Sequence, residues 1–255
     1  MAARGGRRAS GEGEGFVIRV LVSVRSGDEA LLAARGGADF IDCKEPRRGA
    51  LGDLPPATIR DVVERLRDAG VDRPVSATIG DVPMQALDEI LQRVDAVAAC
   101  DVDYVKVGIQ AGPHAEQVLD ALAHCGHATV PVFVADRGLD PALIAHALTL
   151  RFAGVMADTA DKRSGSLFDA VSRVALARFV SQARAARVMV GLAGALRVPH
   201  AQALAELAPD FAGFRSAVCA GDRGAALDGA RLRELAVALQ GAQEARDSPR
   251  SKLRI

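Results

Sequence analysis

Short apolar runs alternate along this chain with longer stretches whose apolar positions recur at helical spacing. The short runs are 17–23 (VIRVLVS), 38–43 (ADFIDC), 74–78 (PVSAT), 103–107 (DYVKV), 129–134 (TVPVFV), 153–157 (AGVMA), 188–192 (VMVGL) and 210–214 (DFAGF). Each has the length of a buried strand. Between them, Ile59, Val62, Val63 and Leu66 follow the i, i+3, i+4, i+7 rule, as do Leu87, Ile90, Leu91 and Val94. That spacing predicts amphipathic helices. Pro55-Pro56, Asp140-Pro141 and Pro199 mark helix starts, where the missing N–H is no loss. Arg35-Gly36-Gly37 and Ala69-Gly70 close helices before the next strand.

The pattern amounts to eight strand–helix units. Repeated βα units imply a parallel sheet, since each return needs a helical crossover. Eight units in one domain over residues 16–240 predict a single (β/α)8 TIM barrel, an α/β fold. An open doubly wound sheet is the alternative. It is disfavoured because no Gly-x-Gly-x-x-Gly follows the first strand, which ends Val22-Ser23-Val24-Arg25. Small residues at Ala38, Ala77, Gly154 and Gly213 are predicted to point inward, as layered barrel packing needs. Residues 1–15 and 241–255 are rich in Gly, Arg, Glu and Ser and are expected to be disordered tails.

Composition narrows the function. Lys plus Arg and Asp plus Glu are both 32 in 255 residues, a formal net charge of +0. Nucleic-acid and membrane-surface proteins need a surplus of positive charge, so neither partner is expected. No apolar run approaches the roughly 20 residues of a membrane span. The first residues have no signal-peptide pattern. Cys43, Cys100, Cys125 and Cys219 include no Cys-x-x-Cys pair, which argues for a reduced, cytoplasmic protein without a zinc site. Apolar patches within 83–99 and 112–125 offer a surface for homo-oligomer formation.

The basic residues carry the most information. Only Lys44, Lys106, Lys162 and Lys252 are lysine; the other 28 are arginine. Positions that need a solvated positive charge have become arginine here, so a surviving lysine points to a need for an amine. Arginine cannot serve as one, because its guanidinium stays protonated. Lys252 lies in the tail. Lys44, Lys106 and Lys162 lie in or just after predicted strands two, four and six, whose C-terminal ends form the active site of such barrels. Asp42 shares a strand face with Lys44, and Asp158 and Lys162 bracket one loop. Two amines at one mouth raise the cost of charging each other, which favours the neutral amine that attacks a carbonyl. Asp42 or Asp158 then holds the iminium or moves a proton. This is Schiff-base aldolase chemistry.

Loops after strands seven and eight commonly bind phosphate in these barrels. They read Gly191-Leu192-Ala193-Gly194 and Arg215-Ser216 through Gly221-Asp222-Arg223. Gly194, Ser216 and Gly221 would bring backbone N–H groups near an anion, and Arg215 would clamp it. The five histidines fall on predicted helices or away from the strand tips. They complete neither a metal set nor a Ser–His–acid triad. Cys43 is predicted to face the helices.

Several of these segments resemble one family. They are Leu21-Val22-Ser23, the stretch from Gly36 through Asp42-Cys43-Lys44-Glu45-Pro46, Gly49-Ala50-Leu51-Gly52, and Val75 through Pro83. Further ones are Asp103-Tyr104-Val105-Lys106-Val107-Gly108, Asp158-Thr159 with Lys162, Ser166 to Asp169, Gly191 to Leu196, and Gly213 to Cys219. The likeness spans about residues 17–240 and is to the (5-formylfuran-3-yl)methyl phosphate synthases of methanofuran biosynthesis. The resemblance implies a barrel related to class I aldolases that condenses two glyceraldehyde 3-phosphate molecules with loss of phosphate and water. It implies Lys44 as the Schiff-base lysine and Lys106 as a proton-transfer lysine. Asp42, Asp158 and Lys162 are the implied supporting charges, and neither a metal nor a redox cofactor is implied. Cys43 and Glu45 depart from the family pattern, where Val and Asn are common. An aldolase or isomerase acting on another sugar phosphate, and an inert barrel that binds a phosphorylated ligand, are the alternatives.

Overall fold

Each of the eight short apolar runs becomes a strand, paired in parallel with its neighbours. The computed structural model describes residues 17–49, 51–161 and 165–248. The strands are β1 (Arg19–Val24), β2 (Phe40–Cys43), β3 (Val75–Thr78), β4 (Tyr104–Ile109), β5 (Thr129–Val134), β6 (Gly154–Asp158), β7 (Met189–Leu192) and β8 (Phe211–Phe214). Between them run α1 (Gly27–Arg35), α2 (Pro56–Asp68), α3 (Leu87–Ala98), α4 (Ala115–His124) and α5 (Pro141–Thr149). The later helices are α6 (Leu167–Ala170), α7 (Arg173–Ala185), α8 (Ala201–Leu207) and α9 (Gly229–Asp247). The strands join in chain order and β8 closes on β1, in the register Leu21 to Gly213. This is the expected (β/α)8 barrel.

The local signals act as their chemistry predicts. Asp140 caps α5 by accepting from the N–H groups of Ala142 and Leu143, with Pro141 at the first helical position. Ile59, Val62, Val63 and Leu66 are the buried stripe of α2. Gly37 and Gly70 take positive φ just past α1 and α2, where a side chain would be strained. No helix among the described residues is long and apolar enough to cross a membrane.

Period-two alternation divides the apolar residues into two layers. Val20, Val22, Ile41, Cys43, Val105 and Val107 pack outward against the helices. Leu21, Phe40, Val130, Val132, Met156 and Phe211 fill the barrel's interior. The Phe40 and Phe211 rings meet there at 5.5 Å between centroids. Of the four small residues expected inside, Gly154 and Gly213 face the interior, where an added Cβ would meet Met189 and Met156 respectively. Ala38 and Ala77 instead belong to the outer layer under the helices. The strand phase is set by the bulky Phe40 and the polar Asp42 and Ser76, which take the interior positions of β2 and β3.

Gly191 is the interior glycine with least room. A Cβ on it would lie 2.1 Å from the Phe211 ring, which its β8 partner carries. Gly191→Ala is therefore expected to destabilise the fold by about 1–3 kcal/mol through overpacking. Thermal unfolding checks this, and an unchanged midpoint would contradict it.

The C-terminal boundary differs from expectation. Residues 241–247 continue α9 rather than starting a tail. Gln243 explains this. Buried, it accepts from the Ile18 N–H at 2.6 Å and donates to the Leu239 carbonyl at 2.9 Å. It thereby ties the last turns to the start of β1. Residues 1–16 and 249–255, which hold the rest of the expected tails, lie outside the described residues.

Candidate active site

The polar interior begins one layer above Phe40. Register sets Ser23, Asp42 and Ser76 side by side on β1, β2 and β3. Asp42 is 1% exposed and accepts from Ser23 Oγ at 3.0 Å, Ser76 Oγ at 2.8 Å and Lys106 Nζ at 2.8 Å. Burial alone would raise its carboxyl's pKa. The Lys106 and Lys44 ammoniums, with the hydrogen bonds from Lys106 and Ser76, outweigh burial and hold it below the usual carboxylate range.

Lys44 continues the alternation one step past β2. Its N–H donates to the Val24 carbonyl at 3.0 Å, extending the β1 ladder. Its Nζ lies 3.3 Å from Oδ2 of Asp158, the last residue of β6. β2 and β6 stand opposite each other in the ring of eight, so this pair spans the mouth. Asp158 Oδ1 also accepts from the Thr159 N–H at 2.8 Å. Lys44 and Lys106 are 6% and 4% exposed. Asp42 therefore holds Lys106, and Lys44 reaches Asp158. Asp42 and Lys44 do share a face, but the long Lys44 chain runs up and across the mouth instead of back along its strand. Lys162 lies outside the described residues.

A loop closes over one side. Leu51 enters the interior layer against Gly108, where a Cβ would stand 2.4 Å from its Cδ1. Thr78 Oγ1 holds the Gly52 carbonyl at 3.0 Å, and Asp81 accepts from the Leu51 N–H at 3.3 Å. Ser76, Thr78 and Asp81 thus brace Asp42 and this loop.

The chamber above the lysines is lined by Ser23, Asp42, Lys44, Lys106, Asp158 and Gly194, among others. Its volume is about 40 Å³, against about 760 Å³ for an outer cavity; Pro46, Ser216 and Arg223 line both. After β7, Gly194 and Ala195 both take positive φ, 115° and 47°. The N–H groups of Gly194, Ala195 and Leu196 donate no hydrogen bond among the described residues. Consecutive free N–H groups of this kind form an anion-binding concavity. Ser216 stands at the neck between chamber and outer cavity, and Gly221 lines the outer cavity.

Arg215 is placed differently from its expected role. Its guanidinium donates to both oxygens of Glu29 at 2.6 and 3.1 Å, and to the carbonyls of Ser23, Arg223 and Ala225. Those bonds occupy every N–H a guanidinium has, leaving none to clamp a phosphate. Burial would raise the Glu29 carboxyl, but Arg215 and Arg25 overcome this and lower it.

The family model for 4-HFC-P synthase matches residues 20–236. This chain belongs to that family. It is 37% identical over 237 residues to the (5-formylfuran-3-yl)methyl phosphate synthase of Methanopyrus kandleri, covering 87% of this chain and 98% of that protein. With the Archaeoglobus fulgidus enzyme of the same name, identity is 36% over 239 residues, covering 88% and 99%. Solved barrels share the fold at lower identity. Thermus thermophilus phosphoribosyl anthranilate isomerase gives a TM-score of 0.59 at 17% identity, covering 88% of this chain and 99% of that one. Salmonella typhimurium 3-hexulose-6-phosphate synthase gives 0.61 at 14%, covering 88% and 100%.

As a 4-HFC-P synthase family member the chain is a synthase, with two buried lysine–carboxylate pairs at the C-terminal end of its barrel. On sequence grounds alone Ser23, Ser76 and Arg223 have no assigned role. The strand alternation that pairs Asp42 with its neighbours was the available signal for the two serines. His114 and His200 cap the N-termini of α4 and α8, at the lysines' end of the barrel. Neither lines the chamber: His114 is exposed, and His200 packs its ring 5.2 Å from Phe168. Among the described residues no group of His, Cys, Asp and Glu is arranged to hold a metal. Cys43 is buried under the helices as expected, and burial pushes its thiol up.

Proposed function

We propose that this chain condenses two glyceraldehyde 3-phosphate molecules to (5-formylfuran-3-yl)methyl phosphate, in methanofuran biosynthesis, with Lys44 as the Schiff-base lysine. The observation that carries the reading is the meeting of two buried lysine–carboxylate pairs in one chamber of a 4-HFC-P synthase family barrel. The name shared by its relatives supplies the product.

To attack a carbonyl, the Lys44 amine must be free of its extra proton. Asp158, at 3.3 Å, is in reach to take it and to balance the iminium that forms. The iminium nitrogen stores the electrons released when the triose loses a proton beside its carbonyl. Lys106 moves that proton, aimed by its bond to Asp42. The enamine attacks the aldehyde of the second triose. Loss of one phosphate and two waters, with ring closure, then yields the aromatic furan. Gly194, Ser216 and Gly221 supply backbone or hydroxyl donors for the phosphates, and Lys162 is a further supporting charge that the family likeness implies.

The product test is direct. Purified protein given glyceraldehyde 3-phosphate is expected to release inorganic phosphate together with a furan aldehyde, seen by ultraviolet absorbance and mass. Phosphate release or aldol products without a furan would assign the site to another sugar-phosphate reaction.

A further inference from the structure

Four arginines meet at the loop after β8, and three of them are committed to its backbone. Arg215 donates to the carbonyls of Arg223 and Ala225, at 3.0 and 2.7 Å. Arg25 donates to those of Gly224 and Ala225, at 2.9 and 3.4 Å. Arg47 donates to Gly224 at 3.2 Å. Glu29 neutralises both Arg25 and Arg215, and Asp222 accepts from the Gly224 N–H at 2.8 Å. This bracing fixes the backbone on both sides of the fourth arginine.

Arg223 is half-buried, and its guanidinium makes no hydrogen bond among the described residues. It stands at the neck, lining both the inner chamber and the outer cavity. Burial works against its charge, as does Arg215; Asp158 and Glu45 favour it. A half-buried cation without a hydrogen-bonded partner is stabilised when an anion arrives. The chamber's size says which part of a substrate meets it. The chamber offers about 40 Å³, against about 760 Å³ in the outer cavity. A carbonyl beside Lys44 lies in the narrow inner chamber, which leaves the bulkier, charged phosphate end to the neck that Arg223 shares with the wider outer cavity. There the free N–H groups of Gly194 and Ala195 line the chamber's side.

We propose that Arg223 binds the phosphomonoester of the triose whose carbonyl reaches Lys44, held at the neck by the Arg215, Arg25 and Arg47 brace. This rests on the triose-phosphate reading of the site and adds the residue that selects for the phosphate. The loop works as a fixed arm, in which buried ion pairs hold backbone so that one guanidinium faces the substrate.

Calorimetric titration with glycerol 3-phosphate, which has no carbonyl and cannot form an imine, tests the anion site apart from the chemistry. Arg223→Gln is expected to weaken its binding by about tenfold to a hundredfold, the loss of a charge-assisted pair. Arg223→Lys is expected to recover part of that loss, and neither change to move the thermal midpoint by more than a degree or two, as for a side chain bonded to no described residue. Borohydride trapping gives a second readout: the preference for glyceraldehyde 3-phosphate over glyceraldehyde falls in Arg223→Gln. Equal binding of glycerol 3-phosphate by wild type and Arg223→Gln, or no binding by wild type, would overturn the proposal. Normal anion binding without furan formation would overturn the reaction assignment and leave Arg223's role standing.

Discussion

Lys44→Arg is expected to give a folded barrel that forms no covalent adduct with a triose and turns over about a thousandfold more slowly, or worse. Arginine keeps the positive charge and can still pair with Asp158 across the mouth, so the ion pair at 3.3 Å is preserved in kind. What it lacks is an amine that can shed a proton and attack a carbonyl. Loss of a covalent nucleophile removes the path itself, and such losses run to several orders of magnitude. Lys44→Met separates charge from nucleophile. It also abolishes adduct formation, but removes the Lys44–Asp158 ion pair and so lowers stability as well. Borohydride trapping followed by peptide mapping reads the adduct, and circular dichroism reads the fold. Trapping at Lys106 in place of Lys44 in the wild type would exchange the roles of the two amines.

How far the sequence anticipates this geometry depends on the range of the forces involved. Strands, helix starts and the two-layer alternation are local consequences of period and capping. Accordingly, α2's stripe and the Asp140 cap match residue for residue. The lysines were legible because amines stood out against 28 arginines. Partner choice was not. Lys44 and Asp158 are 114 positions apart and meet only when β2 and β6 face each other across a closed ring. Arg215 illustrates the limit from the opposite side. A lone arginine at the end of β8 reads as an anion clamp, yet Glu29, 186 positions earlier, takes its fork. Arg223, eight positions on, lines the mouth, and Arg215 holds its backbone carbonyl. Gln243 similarly looks like tail composition until its long-range bond to Ile18 is seen.

Asp42→Asn is expected to be the most destabilising polar substitution in the barrel, at about 3–5 kcal/mol. Lys106 is 4% exposed and its ammonium would then lie buried without an anion, while Ser23 and Ser76 would lose a charged acceptor. That is a large fraction of the roughly 5–15 kcal/mol that holds a domain together. At this chain's size it corresponds to a fall in melting temperature on the order of 10 °C. The pair need not stabilise the fold in itself, since an apolar filling of the same space is often as good. A double-mutant cycle with Lys106→Met separates the two ideas: the Asp42→Asn, Lys106→Met protein is expected to be less destabilised than the sum of its single changes. Additive losses would mean the two groups are not coupled. The pH dependence gives an independent check. Asp42's carboxyl is held below its ordinary range in the fold. Its contribution is therefore complete above the unfolded value near pH 4 and fades as pH falls through the lower folded value. Wild type and Asp42→Asn should differ by a constant amount at neutral pH and converge below about pH 4. Glu29, also lowered in the fold, weakens both proteins alike over the same range and cancels in the difference. A gap that instead widened on acidification would place the carboxylate's charge outside the forces that hold Lys106, and with it the aim of the proton-transfer amine.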